Sequence, residues 1–323
     1  MTTAQAPPVV EVANLTKRYG ERLAVDGISF KVHRGEIVAL LGPNGAGKST
    51  TMRMLTCFMP ATSGEATVAG FDIWSQSLDV RRRLGYMPEN VQLYPEMRVR
   101  EYLDYRARLK GVPRRKRRER LAEVAERCWI DDVLDRIIGH LSKGYRQRVG
   151  LAESLIHDPE ILILDEPTIG LDPAQIRETR GLIRDVGRER TVIISTHILT
   201  EAEMICNRVL IMHRGRLVPE EEIARRREAT AVLVAARGER EKVRSAIAGI
   251  EGVTKVTARR EPGGEEGVHI FEVEGAREAH AREAISRRLL EIGSPASEIR
   301  PTGANLEEIF VQIIAREDVG GEG

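Results

Sequence analysis

Two short stretches of this chain carry residue types at spacings that can hold phosphate and activate water. The first, Gly42-Pro43-Asn44-Gly45-Ala46-Gly47-Lys48-Ser49, satisfies GxxxxGK[ST] and follows the apolar run Ile37 to Leu41. Its glycines let the backbone curl until successive N–H groups face phosphate, and a helix beginning near Ser49 adds its positive end. In that setting Lys48 bridges the β and γ phosphates, Thr50 continues the phosphate-binding turn, and the Ser49 hydroxyl ligates Mg²⁺. The plain alternative is a Gly-rich turn before a helix, which the strand, loop and helix order disfavours. The second stretch is Ile161-Leu162-Ile163-Leu164-Asp165-Glu166. Four apolar residues carry a strand through the core and leave Asp165 at its carboxyl end, where it can hold Mg²⁺. Glu166, one residue on, can orient or deprotonate an attacking water.

Such residues need a scaffold that brings strand ends together. Short apolar runs at Val9 to Val12, Glu36 to Leu41, Ile161 to Leu164 and Thr191 to Ser195 alternate with helical stretches, the habit of a buried and largely parallel sheet. Ala24 to Val32 and Arg208 to Val218 read as an added antiparallel layer. From Leu78 the chain turns Arg-rich and helical, and a helical subdomain is expected over about 78–158. Its basic block, Arg114 to Arg118, is interleaved with Glu119, Glu123 and Glu126 at helical spacing and reads as a solvated face, although anionic headgroups or nucleic acid could also meet it.

A boundary is expected where Pro219 and a dense charge run follow, giving an α/β domain over 9–220, a linker over 221–228, and a small α+β domain over 229–316. The second domain reads as β-α-β-β-α-β, the split βαβ order of ferredoxin-like domains, with a hairpin turn through Pro262-Gly263-Gly264 and a closing helix from Leu306 to Ala315. Residues 1–8 and 317–323 read as loose ends. The full length of 323 residues accommodates two domains, and 41% hydrophobic residues supply their cores. Fifty basic residues against 49 acidic ones leave a net charge of +1, so no chain-wide affinity for nucleic acid or anionic membrane follows. Cys57, Cys128 and Cys206 form neither a CxxC pair nor an even framework, which fits a reduced compartment. Residues 1–8 do not read as a secretory leader, and no apolar run approaches the roughly 20 residues that cross a bilayer.

Between the two phosphate stretches lies Leu141-Ser142-Lys143-Gly144-Tyr145-Arg146-Gln147-Arg148, which resembles the LSGGQ signature of ABC ATPases. Tyr19 resembles their adenine-stacking aromatic, Gly170-Leu171-Asp172 the D-loop, and His197 in Ser195-Thr196-His197 the switch histidine. Six motifs in order, over about Val9 to Val218, identify this part as similar to the ATP-binding subunits of ABC transporters. Two departures stand out. The signature has Lys143 and Tyr145 where the consensus has Gly and Gln, while Ser142 and Gly144 are kept. At the Q-loop, Tyr86-Met87-Pro88-Glu89-Asn90 carries Glu89 in place of the usual glutamine, a residue that could still ligate Mg²⁺. The YxPE form and the SKGY signature resemble the exporter branch that includes gliding-motility, drug, sodium and copper-maturation systems.

The resemblance implies an ATP- and Mg²⁺-dependent ATPase with Glu166, His197 and Lys48 as catalytic residues. It implies nucleotide contacts from Tyr19, the 42–50 turn, Glu89, Ser142, Gly144 and Asp172, and metal contacts from Ser49, Asp165 and Glu89. Ser142 is a good helix cap on sequence grounds alone, so its helix end is a second anion site; in the resembling family that site closes on ATP held by a second subunit. The implied partners are a second ATPase subunit, identical or not, and a separate multi-span permease, which places the chain on the cytoplasmic side of the cell membrane. The alternative is a soluble ABC-type ATPase acting on nucleic acid or ribosomes. No coiled-coil insertion, zinc cysteines or tandem second ATPase domain supports it, and 4% aromatic content gives little for base stacking. The C-terminal domain is read as a dimer-stabilising or regulatory module, with a small-ligand sensor as the other reading.

Overall fold

The computed structural model describes residues 7–227, 231–259, 267–275, 279–301, 307 and 309–311. It divides into two compact units, Met1–Val218 and Pro219–Gly323.

The first unit is built on two sheets. One is antiparallel, in the order β2-β1-β4-β5, from β1 (Val10–Tyr19), β2 (Arg22–Val32), β4 (Ser63–Val68) and β5 (Phe71–Asp72). The other has six strands in the order β10-β9-β3-β8-β7-β6. These are β3 (Ile37–Leu41), β6 (Leu84–Met87), β7 (Ile161–Asp165), β8 (Thr191–Thr196), β9 (Arg208–His213) and β10 (Arg216–Leu217). All its pairings are parallel except that of β9 with β10. Every residue of β3, β7 and β8 is buried, which explains why they read as unbroken apolar runs and not as alternating ones.

Alternate side chains of these strands feed two cores. Val38, Leu40, Ile161, Ile163 and Ile193 pack with Val10, Leu15 and Phe30 of the antiparallel sheet and with Met52 and Leu55 of α1 (Lys48–Leu55). Ala39, Leu162, Leu164, Val192 and Ile194 pack on the opposite side with the remaining helices. Beyond α2 (Ser77–Arg83), these are α3 (Val99–Leu109), α4 (Arg114–Arg127), α5 (Lys143–Leu155), α6 (Pro173–Gly187) and α7 (Leu199–Ile205).

Three expectations are corrected. Val9 to Val12 belongs to the antiparallel sheet, because β1 hydrogen-bonds to β2 and β4. Arg208 to Val218 is not in that layer: β9 runs parallel to β3 at the flank of the six-stranded sheet, and only β10 turns back on it. Leu84 to Met87, inside the stretch read as helical, is strand β6 beside β7. Four residues, one of them Gly85, are too short to show a period.

In the second unit, the charge run read as a linker folds as α8 (Glu220–Arg227). After it come β11 (Ala231–Arg237), α9 (Arg240–Ala248), β12 (Lys255–Arg259), β13 (Val268–Glu274), α10 (Ala279–Glu291) and β14 (Ala296–Pro301). The strands form one antiparallel sheet in the order β12-β13-β11-β14, the split βαβ arrangement, over a core of Val234, Val243, Ile247, Phe271, Ile285 and Leu289. The expected turn at Pro262-Gly263-Gly264, the tail, and most of the closing helix lie outside the described residues.

Candidate functional site

The loop between β3 and α1 is fixed by backbone constraints that only glycine meets. Gly45 and Gly47 hold φ of 82° and 107°, and a Cβ on Gly47 would lie 2.6 Å from the Ala24 carbonyl oxygen. A Cβ on Gly42 would lie 2.2 Å from the Met212 carbonyl oxygen. The loop therefore curls tightly against β2 and β9 before α1 begins at Lys48. Lys48 is 5% exposed, and its ammonium donates to the carbonyls of Gly42 (2.7 Å) and Pro43 (3.1 Å) and pairs with Glu166 at 3.4 Å.

Parallel pairing of β7 and β8 sets Asp165 opposite Ser195. Asp165 is fully buried, and its Oδ1 accepts from Ser49 Oγ (3.0 Å) and Ser195 Oγ (2.5 Å). Burial pushes its carboxyl above the usual range, against the pull of the two serine hydrogen bonds. Its Oδ2 is buried with no hydrogen-bond partner among the described residues. Glu166 follows with φ of 49°, its N–H donating to Ser195 Oγ at 3.0 Å. His197 Nδ1 stands 2.9 Å from Glu166 Oε2.

These groups face a cavity of about 510 Å³. Its walls include Tyr19, Asn44, Gly45, Gly47, Lys48, Ser49, Thr50, Glu89 and Glu166, drawn from both sheets and from the segment after β6. Gly42, Pro43 and Ala46 frame the loop behind them; Asp165 lies under Ser49, and His197 reaches the wall through Glu166. Arg22, Arg53 and Ile169 also line the cavity and are not singled out by the motifs. Arg53 lies one helical turn after Ser49, and the nearby Tyr86 hydroxyl is pushed up to about 12 by burial, with help from the Asp165 charge and against the pull of Arg53. Ser195 was legible in principle, since aligning β7 and β8 as parallel neighbours sets it beside Asp165.

Ser142, Gly144 and Asp172 are not on this wall. Ser142 caps α5, its Oγ accepting from Tyr145 N–H at 3.3 Å, and Asp172 caps α6, accepting from Ala174 and Gln175 N–H at 2.9 and 3.0 Å. The two helix ends adjoin: a Cβ on Gly144 would lie 2.5 Å from the Gln175 side chain. They form a second cluster of helix N-termini.

Residues 25–169 match the family model described as ABC transporter. The uncharacterized ABC transporter ATP-binding protein YhcH of Bacillus subtilis is 40% identical over 213 residues, covering 65% of this chain and 68% of that protein. The chain belongs to the ABC transporter ATP-binding protein family. The bacitracin transport ATP-binding protein BcrA of Bacillus licheniformis is 38% identical, covering 66% of this chain and 69% of BcrA. A solved ATP-binding subunit of an ABC transporter superposes with a TM-score of 0.61 at 31% identity, over 67% of this chain and 92% of that one. No helix among the described residues of this ATP-binding protein is long and apolar enough to cross a membrane.

Proposed function

We propose that the chain hydrolyses ATP at the cavity and couples the cycle to a separate multi-span permease, with the chain held peripherally at the cytoplasmic side of the membrane. The observation that carries this reading is the pairing of Ser49 with Asp165 and of Lys48 and His197 with Glu166, each within hydrogen-bond or ion-pair distance, on two consecutive residues at the end of β7. Tyr19 stacks the base, and the 42–50 loop presents N–H groups to the phosphates. Ser49 and Asp165 would hold Mg²⁺: a hydroxyl and a carboxylate are hard oxygen donors, and the unpartnered Asp165 Oδ2 is a buried acceptor in need of a cation. Magnesium, when bound, neutralises charge across the phosphates. Glu89 can add a third oxygen to that set.

Glu166 takes the proton of the attacking water, and His197, hydrogen-bonded to it, fixes its orientation and reads the γ-phosphate. As phosphate draws Lys48 away from Glu166, the carboxylate loses its ion-pair partner and becomes free to act as base. Ser142, Gly144 and Asp172, set apart from the chain's own cavity, serve ATP held by a second subunit in a head-to-tail dimer. A transport role follows the name of BcrA, and an export direction follows the YxPE and SKGY sequence forms.

Glu166→Gln tests the assignment. ATP binding is retained, the ATP-bound dimer accumulates and turnover nearly disappears; near-normal hydrolysis by this variant refutes Glu166 as base. Copurification with a membrane protein that stimulates the ATPase supports transport coupling, whereas stimulation by DNA without membranes refutes it.

A further inference from the structure

Glu201 is 1% exposed, and the chemistry above makes no use of its carboxylate. It stands on α7, outside the cavity, and gathers donors from three separate segments. Its Oε2 accepts from the Thr168 hydroxyl at 2.7 Å and from the Thr196 hydroxyl at 3.2 Å, and its Oε1 accepts from the Arg180 guanidinium at 3.1 Å.

Each donor is tied to a functional segment. Thr168 lies two residues after Glu166, in a turn closed by the Ile169 N–H donating to the Glu166 carbonyl at 3.2 Å. Thr196 immediately precedes His197, and its hydroxyl oxygen also accepts from the Ile198 N–H at 3.0 Å, so the backbone is held on both sides of the histidine. Arg180 lies on α6, the helix capped by Asp172. A buried carboxylate bonded from three directions has one low-energy position, and it transmits that restraint to whatever its donors carry.

The turn needs such a restraint. Glu166 sits at φ of 49°, a conformation that a residue other than glycine keeps only when its surroundings over-determine it. A second hold comes from the Gln147 side chain, which donates to the Pro167 carbonyl at 2.9 Å.

We propose that Glu201 is a positioning residue for hydrolysis: through Thr168 and Thr196 it clamps the turn bearing Glu166 to the strand end bearing His197. The clamp rests on the assignment of Glu166 and His197 made above. A simple charge-neutralising role, with Glu201 present only to pair Arg180, requires neither threonine hydroxyl.

The test is steady-state hydrolysis, equilibrium ATP binding and thermal unfolding of full-chain variants. Thr168→Val is nearly isosteric and removes one hydroxyl. Its expected effect is a fall in kcat of about tenfold or more, since small misplacements of reacting groups cost that much, with ATP affinity within about twofold of the parent. Thr168→Ser restores kcat to within about threefold because it returns the hydroxyl. In the Thr168→Val, Thr196→Val double variant the two losses do not multiply, because the first already opens the clamp. Should Thr168→Val fail to fold, Thr196→Val, which removes the other hydroxyl and leaves the Arg180 pair intact, gives the same split between kcat and affinity. An unchanged kcat in the folded single variant, a loss of affinity matching the loss of rate, or fully multiplying losses would each overturn the clamp. Unchanged kcat in Thr168→Val beside lost turnover in Glu166→Gln refutes the clamp alone; retained turnover in Glu166→Gln refutes the assignment beneath it.

Discussion

Gly47 shows what the phosphate loop demands of a single residue. Its φ of 107° is foreign to side-chain-bearing residues, and a Cβ would press on both the Ala24 carbonyl and the Met212 side chain at 2.6 Å. Gly47→Ala is expected to cost about 2 kcal/mol or more of stability in urea titration, together with most of the ATP affinity, because strain and overlap fall on the loop itself. At this scale the motifs name most of the cavity wall, since phosphate chemistry restricts residue type at fixed spacing. What they leave out is set by register. Ser195, Thr168 and Glu201 come together beside Asp165 and Glu166 because β7 and β8 lie side by side and α7 folds back on their ends, and no local spacing encodes that.

Helix α5 concentrates two element-scale expectations. Its cap, Ser142, has a structural job and a proposed nucleotide-binding one, and substitution separates them. Ser142→Asp keeps a capping oxygen but adds charge, so unfolding free energy is held while ATP-driven dimerisation of the Glu166→Gln chain is lost. Ser142→Ala lowers unfolding free energy by about 1 kcal/mol. Past the other end of α5, His157 Nε2 donates to the Leu84 carbonyl at 3.1 Å, and its Nδ1 is buried with no partner among the described residues. Burial, with Lys110 adding to it, lowers its pKa to about 4. The unfolded histidine takes up its proton near pH 6.5, so the fold favours the neutral ring. That contribution is whole above pH 6.5 and is lost as pH falls toward 4, by roughly 1.4 kcal/mol per unit. Urea unfolding from pH 7 to 4 should show this loss, and His157→Gln should flatten it. Long buried strands were legible as apolar runs, whereas β6, with four residues, and α8, nearly all charge, are decided by neighbours in space and not by their own pattern.

Across the whole molecule, the cavity and both helix-end clusters lie within Met1–Val218, which has its own two cores. A chain ending at Arg227 is expected to fold and bind ATP within about twofold of the full chain, while sedimentation reveals weaker self-association if the second unit stabilises the dimer. Unchanged association would assign that unit another role. The near-zero net charge of +1 carries no trace of the site, because phosphate recognition rests on one lysine, loop amides and helix ends. The split βαβ order was readable from alternating runs of five to thirteen residues; its role has no comparable signature among the described residues.

The sheet order has a consequence for how the protein is made. Strand β3, which leads into the phosphate loop, is flanked by β8 and β9, and its Ile37 N–H reaches Asn207 across 170 residues of chain. At ribosomal speeds of about 5 to 20 residues per second, that interval lasts on the order of 10 to 30 s. For most of it the nascent chain carries five consecutive apolar residues with neither neighbouring strand yet synthesised, which leaves Ile37–Leu41 open to association with other chains until β8 and β9 arrive.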